Sequence, residues 1–411
     1  YLLICNYMIK KFFIFFIFCL ILPPAFLWIL FLTENNKFAN NIYFNMPFIF
    51  VRKKKCKAYD YLINKSLDDS FSVSILDDNG FVISEYNSNK LRIPASNLKL
   101  LSTGYVIDKY NPYDSLNTSL LIDNKENYYL FGTGDPDLSL KDLDDLINIK
   151  YSNKDINLYI IEVKDSSKWP DGWTYNDKLF NYGAPITSLA INSNQDIYLD
   201  KYYLKNYIYR ILKVKNPNSN ISINFLNYEN SLKNKLQLVK NLKSNTILAL
   251  VTLANAESHN FTSESLFKNA SNSWQSNDYK KLKNWLYYRG LPTEGISIGD
   301  ASGLSRSNKI TTKLISTFLY KMRFNKKFKS YNSSLSILGV RGTLSNKLKK
   351  SNLSGKFFGK TGTLSNVFSL SGYLYKKNKT YIISIIQNSN NIDVNKTFKL
   401  IKDIYKLDNC L

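Results

Sequence analysis

The spacing of hydrophobic positions changes several times along the chain, and each change predicts an element. From Phe71 to Leu76 apolar and polar residues alternate, as on a half-buried strand. Asp77-Asp78-Asn79-Gly80 is a tight-turn sequence, and residues 81–84 return as a second strand, so the stretch predicts a β-hairpin. Pro94 ends the extended segment, and Leu98, Leu100, Leu101, Val106 and Ile107 then mark a helix that opens at Ser96.

Between residues 112 and 245 the texture differs. Turn clusters and short strands dominate, among them residues 128–131 before Gly132-Thr133-Gly134-Asp135-Pro136, a turn rather than a phosphate loop because no Lys-Ser/Thr follows. Residues 192–245 are rich in Asn and Lys and show no period that assigns them. At Ile247 the apolar helical pattern resumes. Leu282, Trp285, Leu286 and Leu291 predict an amphipathic helix ending near Gly290, and Thr312 to Met322 predicts another. Residues 369–375 and 381–387 read as a second hairpin around Lys376-Lys377-Asn378-Lys379, and residues 394–407 as a closing helix.

The first residue is Tyr1, and Met8 is a candidate start. Lys10 and Lys11 precede an uncharged run over residues 12–32, at the length of a membrane span. Without a convincing small-residue cleavage site it reads as an uncleaved anchor that exports the remainder, although Arg52-Lys53-Lys54-Lys55 opposes that orientation.

Composition narrows the chemistry. The 411 residues carry 55 basic and 32 acidic side chains, a formal charge of +23. The lysines are scattered among Asn, Ile and Tyr rather than clustered with a nucleic-acid motif, so no nucleic-acid partner is expected. Cys5, Cys19, Cys56 and Cys410 form no CxxC, and His259 is the single histidine. No metal site or cofactor is expected, and a serine acyl enzyme here would need lysine as its base.

Ser96-Asn97-Leu98-Lys99 places a hydroxyl and an amine one helical turn apart. The same spacing recurs at Ser265-Leu266-Phe267-Lys268, which lies mid-helix by pattern. Ser258-His259-Asn260 offers a hydroxyl and an amide, with His259 read as a packing or surface residue. Lys360-Thr361-Gly362, followed by Thr363, offers an ammonium, hydroxyls and an unobstructed strand edge that suit a substrate carboxylate. Lys360 is also expected to help keep Lys99 neutral.

These three motifs, in this order, resemble those of the class C low-molecular-weight penicillin-binding proteins, the D-alanyl-D-alanine carboxypeptidase/endopeptidase family. Pro94-Ala95-Ser96, Gly134-Asp135-Pro136, Tyr182-Gly183-Ala184-Pro185, Asp300-Ala301-Ser302-Gly303-Leu304-Ser305-Arg306 and Gly342-Thr343-Leu344 extend the likeness over about residues 60–405. His259 stands where the family often has Asp. The resemblance implies an α+β fold: a serine β-lactamase/transpeptidase-like domain, an antiparallel sheet flanked by helices, with one smaller inserted β-rich domain. It divides the chain into a signal/anchor segment and linker (1–57), a discontinuous transpeptidase-like domain (58–111 and 246–411) and the insertion (112–245).

The resemblance further implies Ser96 as nucleophile, Lys99 as base, and Ser258 and Asn260 as the proton relay and peptide aligner. Lys360, Thr361, Gly362 and Thr363 form the substrate-binding strand, and the Ser96 and Thr363 amides the oxyanion hole. The expected partners are peptidoglycan stem peptides, β-lactam antibiotics as inhibitors, and the inner membrane through residues 12–32; the expected place is the periplasm or cell envelope. A β-lactamase-like hydrolase would share the nucleophile but needs fast deacylation, and no loop with a deacylating Glu is recognisable. A catalytically inactive membrane-anchored wall-binding protein would not need Ser96, Lys99 and Lys360 intact.

Overall fold

The computed structural model describes residues 44–45, 56–151, 155–163, 167–195, 201–227, 236–274 and 276–407. The expected anchor at 12–32, most of the linker, and Cys5, Cys19 and Cys410 lie outside them. Among the described residues no helix is long and apolar enough to cross a membrane.

Helix α1 (Lys57–Ser66), strands β1 (Phe71–Leu76) and β2 (Val82–Tyr86) and helix α2 (Leu98–Lys109) come first. Strands β3 (Ser115–Ile122) and β4 (Tyr128–Gly132), helix α3 (Leu140–Ile147), strand β5 (Asp155–Glu162), helix α4 (Lys201–Lys215) and strands β6 (Asn220–Asn227) and β7 (Gln237–Thr246) follow. Helices α5 (Ile247–Ala256), α6 (Asn260–Ser271), α7 (Lys280–Tyr288) and α8 (Thr312–Met322) lead to strands β8 (Ser336–Ile337), β9 (Phe357–Leu364), β10 (Val367–Lys376) and β11 (Lys379–Asn388). Helix α9 (Val394–Lys406) closes the chain, and shorter helical turns connect several of these elements.

Strand β10 is buried at every position but Tyr375, so its sheet must be covered on both faces. That sheet has six strands in the order β2-β1-β11-β10-β9-β8, antiparallel throughout. On one face Tyr373, Ile382 and Ile386 pack into a core with Leu98 and Leu101 of α2 and Ile315 and Phe318 of α8. On the other, Phe71, Val73, Ile383 and Ile385 meet Tyr59 and Ile63 of α1 and Phe398, Ile401 and Ile404 of α9. Each such side chain contributes roughly 2 kcal/mol through burial.

A second sheet, five strands in the order β6-β5-β4-β3-β7, is built from Ser115 to Thr246. β3 runs antiparallel to both its neighbours, whereas β4, β5 and β6 are parallel. Parallel neighbours need crossover connections, and these carry α3 and α4. The unassigned stretch at 192–245 therefore holds α4, β6 and β7. Leu204, Ile208, Ile211 and Leu212 do repeat at helical spacing in α4, but polar residues surround them. β6 is an edge strand with only Ile223 buried, which leaves little alternation to read.

Candidate active site

Ser96 is not the first residue of α2. It sits in a single helical turn, Ala95–Asn97, from which α2 continues at Leu98. Ala95 has φ +48°, a left-handed conformation that L-residues with a Cβ adopt at a cost. Two glycines clamp this turn. A Cβ on Gly303 (φ +85°) would overlap Ala95 O and approach Ser96 N to 3.0 Å. A Cβ on Gly362 would stand 2.8 Å from Ser96 N and 2.9 Å from Pro94 O. Strand β9 thus runs backbone against backbone along the turn. Ser369 Oγ donates to Pro94 O (2.6 Å), and the Asn97 amide meets Ser371 Oγ at 3.0 Å, tying the turn to β10.

Lys99, one turn into the helix, is fully buried. Its Nζ lies 2.6 Å from Asn260 Oδ1, 2.7 Å from Ser302 O and 3.1 Å from Ser96 Oγ. Burial lowers its pKa to about 7, against the pull of Asp300 and Glu264. A neutral amine so placed gives its two N–H groups to Asn260 and Ser302 and turns its lone pair to Ser96 Oγ.

Asn260 is the first residue of α6, and its Nδ2 donates to Tyr182 O (3.0 Å). Ser258 precedes it with φ +65°. Between them His259 caps the helix: its side chain accepts from Thr262 N, and its Nε2 is 2.7 Å from the Gln195 amide. Burial, and secondarily Lys99, push its pKa down to about 4, so the ring is uncharged at neutral pH. Ser96, Ser258, Asn260 and Thr363 line one cleft of about 360 Å³, beside Asp177 and Arg306.

Lys360 and Thr361 are not among the residues that line that cleft. Lys360 is fully buried on β9 and donates to Thr361 O (2.9 Å). Thr361 Oγ1 donates to Thr343 Oγ1 (2.7 Å). Burial first, then repulsion by Lys99, holds the Lys360 ammonium well below its usual range. Burial is the first cause for both lysines. Repulsion between two ammoniums is mutual, so the charge of Lys99 that disfavours the Lys360 ammonium is matched by an equal effect of Lys360 on Lys99.

Sequence reading missed the buried carboxylates' partners. Asp300 accepts from Trp173 Nε1 (2.9 Å), Ser302 Oγ (3.0 Å) and the Gly303 and Ser305 amides (both 2.8 Å). Glu264, one turn after Asn260, accepts from the Ala301 and Ser302 amides (2.9 and 2.8 Å) and from Tyr279 (2.8 Å). Burial and Asp300 raise the Glu264 pKa to about 7. A lone Glu amid Phe261, Leu266 and Phe267 was a signal that could have found it. Asp177, missed as well, pairs with Arg306 at 2.5 Å on the cleft wall. Among the described residues no group of His, Cys, Asp or Glu is placed to hold a metal ion.

A family model for the D-Ala-D-Ala carboxypeptidase 3 (S13) family matches residues 65–204 and 204–405. No curated protein matches significantly. Among solved structures, penicillin-binding protein 4 (dacB) from Haemophilus influenzae is similar with a TM-score of 0.70 at 19% identity, covering 85% of this chain and 99% of that one. The same protein complexed with a novel beta-lactam gives 0.64 at 19% identity, covering 84% and 98%. A predatory peptidoglycan endopeptidase from Bdellovibrio bacteriovorus gives 0.53 at 14% identity, covering 81% and 90%. At such identities the likeness establishes the fold: a serine transpeptidase-like α+β architecture, as the motifs implied.

Proposed function

The chain belongs to the D-Ala-D-Ala carboxypeptidase 3 (S13) family, and from that premise we propose that it cleaves D-alanyl bonds of peptidoglycan stem peptides through a Ser96 acyl enzyme. The observation that carries this reading is the Lys99 amine between Ser96 Oγ, Asn260 Oδ1 and Ser302 O. Lys99 Nζ takes the Ser96 proton as Oγ bonds to the carbonyl carbon of the penultimate D-alanine. The carbonyl oxygen becomes an oxyanion that accepts from the Ser96 and Thr363 amides. When the intermediate collapses, the C–N bond breaks and the departing amine takes the proton held by Lys99, relayed through Ser258, which leaves Lys99 neutral again, while Asn260 aligns the peptide. Water then attacks the ester, Lys99 takes its proton, and Ser96 Oγ leaves as the hydroxyl.

Thr361 and Thr363 hold the terminal carboxylate, and Lys360, buried beneath them, supplies positive charge. A bound carboxylate favours the charged form of Lys360 and so offsets its burial. Gly362 keeps the strand close enough to Ser96 for both oxyanion donors to meet one oxygen. Residues 112–245 form a separate inserted domain whose Tyr182 segment walls the cleft. The protein works in the cell envelope, with residues 12–32 as its membrane anchor.

β-Lactams mimic the same acyl donor. The similar structures include a penicillin G-acylated form of the Bdellovibrio endopeptidase at a TM-score of 0.50 and 14% identity, which supports penicillin as a probe here. Incubation with a stem pentapeptide and mass spectrometry of the products tests the function. The expected result is loss of one D-alanine; an unchanged pentapeptide, with a protein that penicillin also leaves unmodified, would refute it.

A further inference from the structure

The segment Asp300 to Gly303 serves two sides of the site at once. Gly303 packs against Ala95 and Ser96, and Ser302 O receives the Lys99 amine. Its peptide units are held with unusual completeness. Ser102 Oγ (2.6 Å) and Ser263 Oγ (2.8 Å) both donate to Ala301 O. Glu264 Oε1 accepts from the amides of Ala301 and Ser302 together, and Tyr279 OH fixes the other carboxylate oxygen. Glu264 therefore holds the amide of the same residue whose carbonyl orients the amine, and its side chain is as deeply buried as Lys99. The titratable groups around it are Asp300, Tyr279, Lys99 on α2 and Lys268 on its own helix.

We propose that Glu264 is a positioning residue for the Lys99 base: it holds the Ser302 carbonyl on Lys99 Nζ, and its negative charge favours the ammonium form of that lysine. The inference rests on the assignment of Lys99 as base in the proposed function. A mere anchor for two amides needs an oxygen, not a charge. Glutamine supplies that oxygen, and its NH2 can donate to the Tyr279 hydroxyl, so Glu264→Gln separates the two roles.

The sign is fixed. Lys99 works when neutral, so acylation falls as pH drops through its titration. Removing a nearby negative charge lets Lys99 lose its proton more readily, and the acidic limb moves to lower pH. The experiment is the pH dependence of fluorescent-penicillin acylation of the full chain. Glu264 is itself neutralised near pH 7, so Glu264→Gln is expected to lower the midpoint of the limb by up to about one pH unit while the two profiles converge well below it, with the high-pH rate within about threefold of wild type. Tyr279→Phe withdraws a hydrogen bond that favours the carboxylate, and should shift the limb the same way by less. Tyr279→Phe carries the test alone if the Gln variant does not fold.

A limb that stays in place, or that moves to higher pH, overturns the inference. If instead the wild-type protein takes no penicillin at all, the proposed function itself falls. The two failures are thus distinguishable.

Discussion

The chain contains the Ser-x-x-Lys spacing twice, and the two copies sit in one molecule under contrasting conditions. Both lysines are buried, and burial pulls both below the usual range, Lys99 to about 7 and Lys268 to about 8. Depressed basicity therefore does not separate them. The serines do. Ser96 stands on a short turn that opens into the cleft, whereas Ser265 is fully buried inside α6 and donates to Thr262 O (3.3 Å). Lys99 faces Ser96, but Lys268 turns away to Ser276 O and Asn277 Oδ1 (3.1 and 3.3 Å). A nucleophile needs more than its base one turn away: it needs a backbone that exposes it and partners that occupy the amine's protons.

The widest separation is expected from the serines. Ser96→Ala should lower penicillin acylation and D-alanine release by ~10⁴-fold or more, while Ser265→Ala leaves both within about twofold, read by fluorescent-penicillin kinetics. The lysines come next. Lys99→Met should lose roughly 10³-fold in acylation rate, the scale of a general base. Lys268→Met should keep the high-pH rate and lower thermal stability, because it leaves Ser276 O and Asn277 Oδ1 without their donor.

How far this contrast was legible in the sequence follows from the range of the interactions. Ser96 and Lys99 lie on one turn, Lys360 to Thr363 on one strand, and Pro94 marked the entry, so local pattern sufficed for them. The order of the motifs then pointed to the family. What could not be read was long-range. Nothing near Glu264 announces that it binds Ala301 and Ser302, nor that Asp300 receives Trp173. The insertion was opaque for another reason: α4 and β6 bury few residues, so Asn and Lys mask their periods. The burial that is the first cause of the lowered Lys99 pKa was also unreadable, because burial is not visible in spacing.

Two smaller effects sharpen the comparison. Acylation should fall about tenfold per pH unit below about 7, where Lys99 takes up a proton, and level off above it. His259, with its pKa near 4, is already neutral over that range. His259→Asn keeps a capping side chain, so it should leave the pH limb in place and change stability by no more than about 1 kcal/mol, measured by chemical denaturation.

The central claim is that Ser96, not Ser265, forms the acyl enzyme. Peptide mapping by mass spectrometry after penicillin treatment tests it most directly. The account predicts one penicilloyl adduct, on the peptide containing Ser96, and none in Ser96→Ala. An adduct on the Ser265 peptide, or label retained in Ser96→Ala, would contradict it.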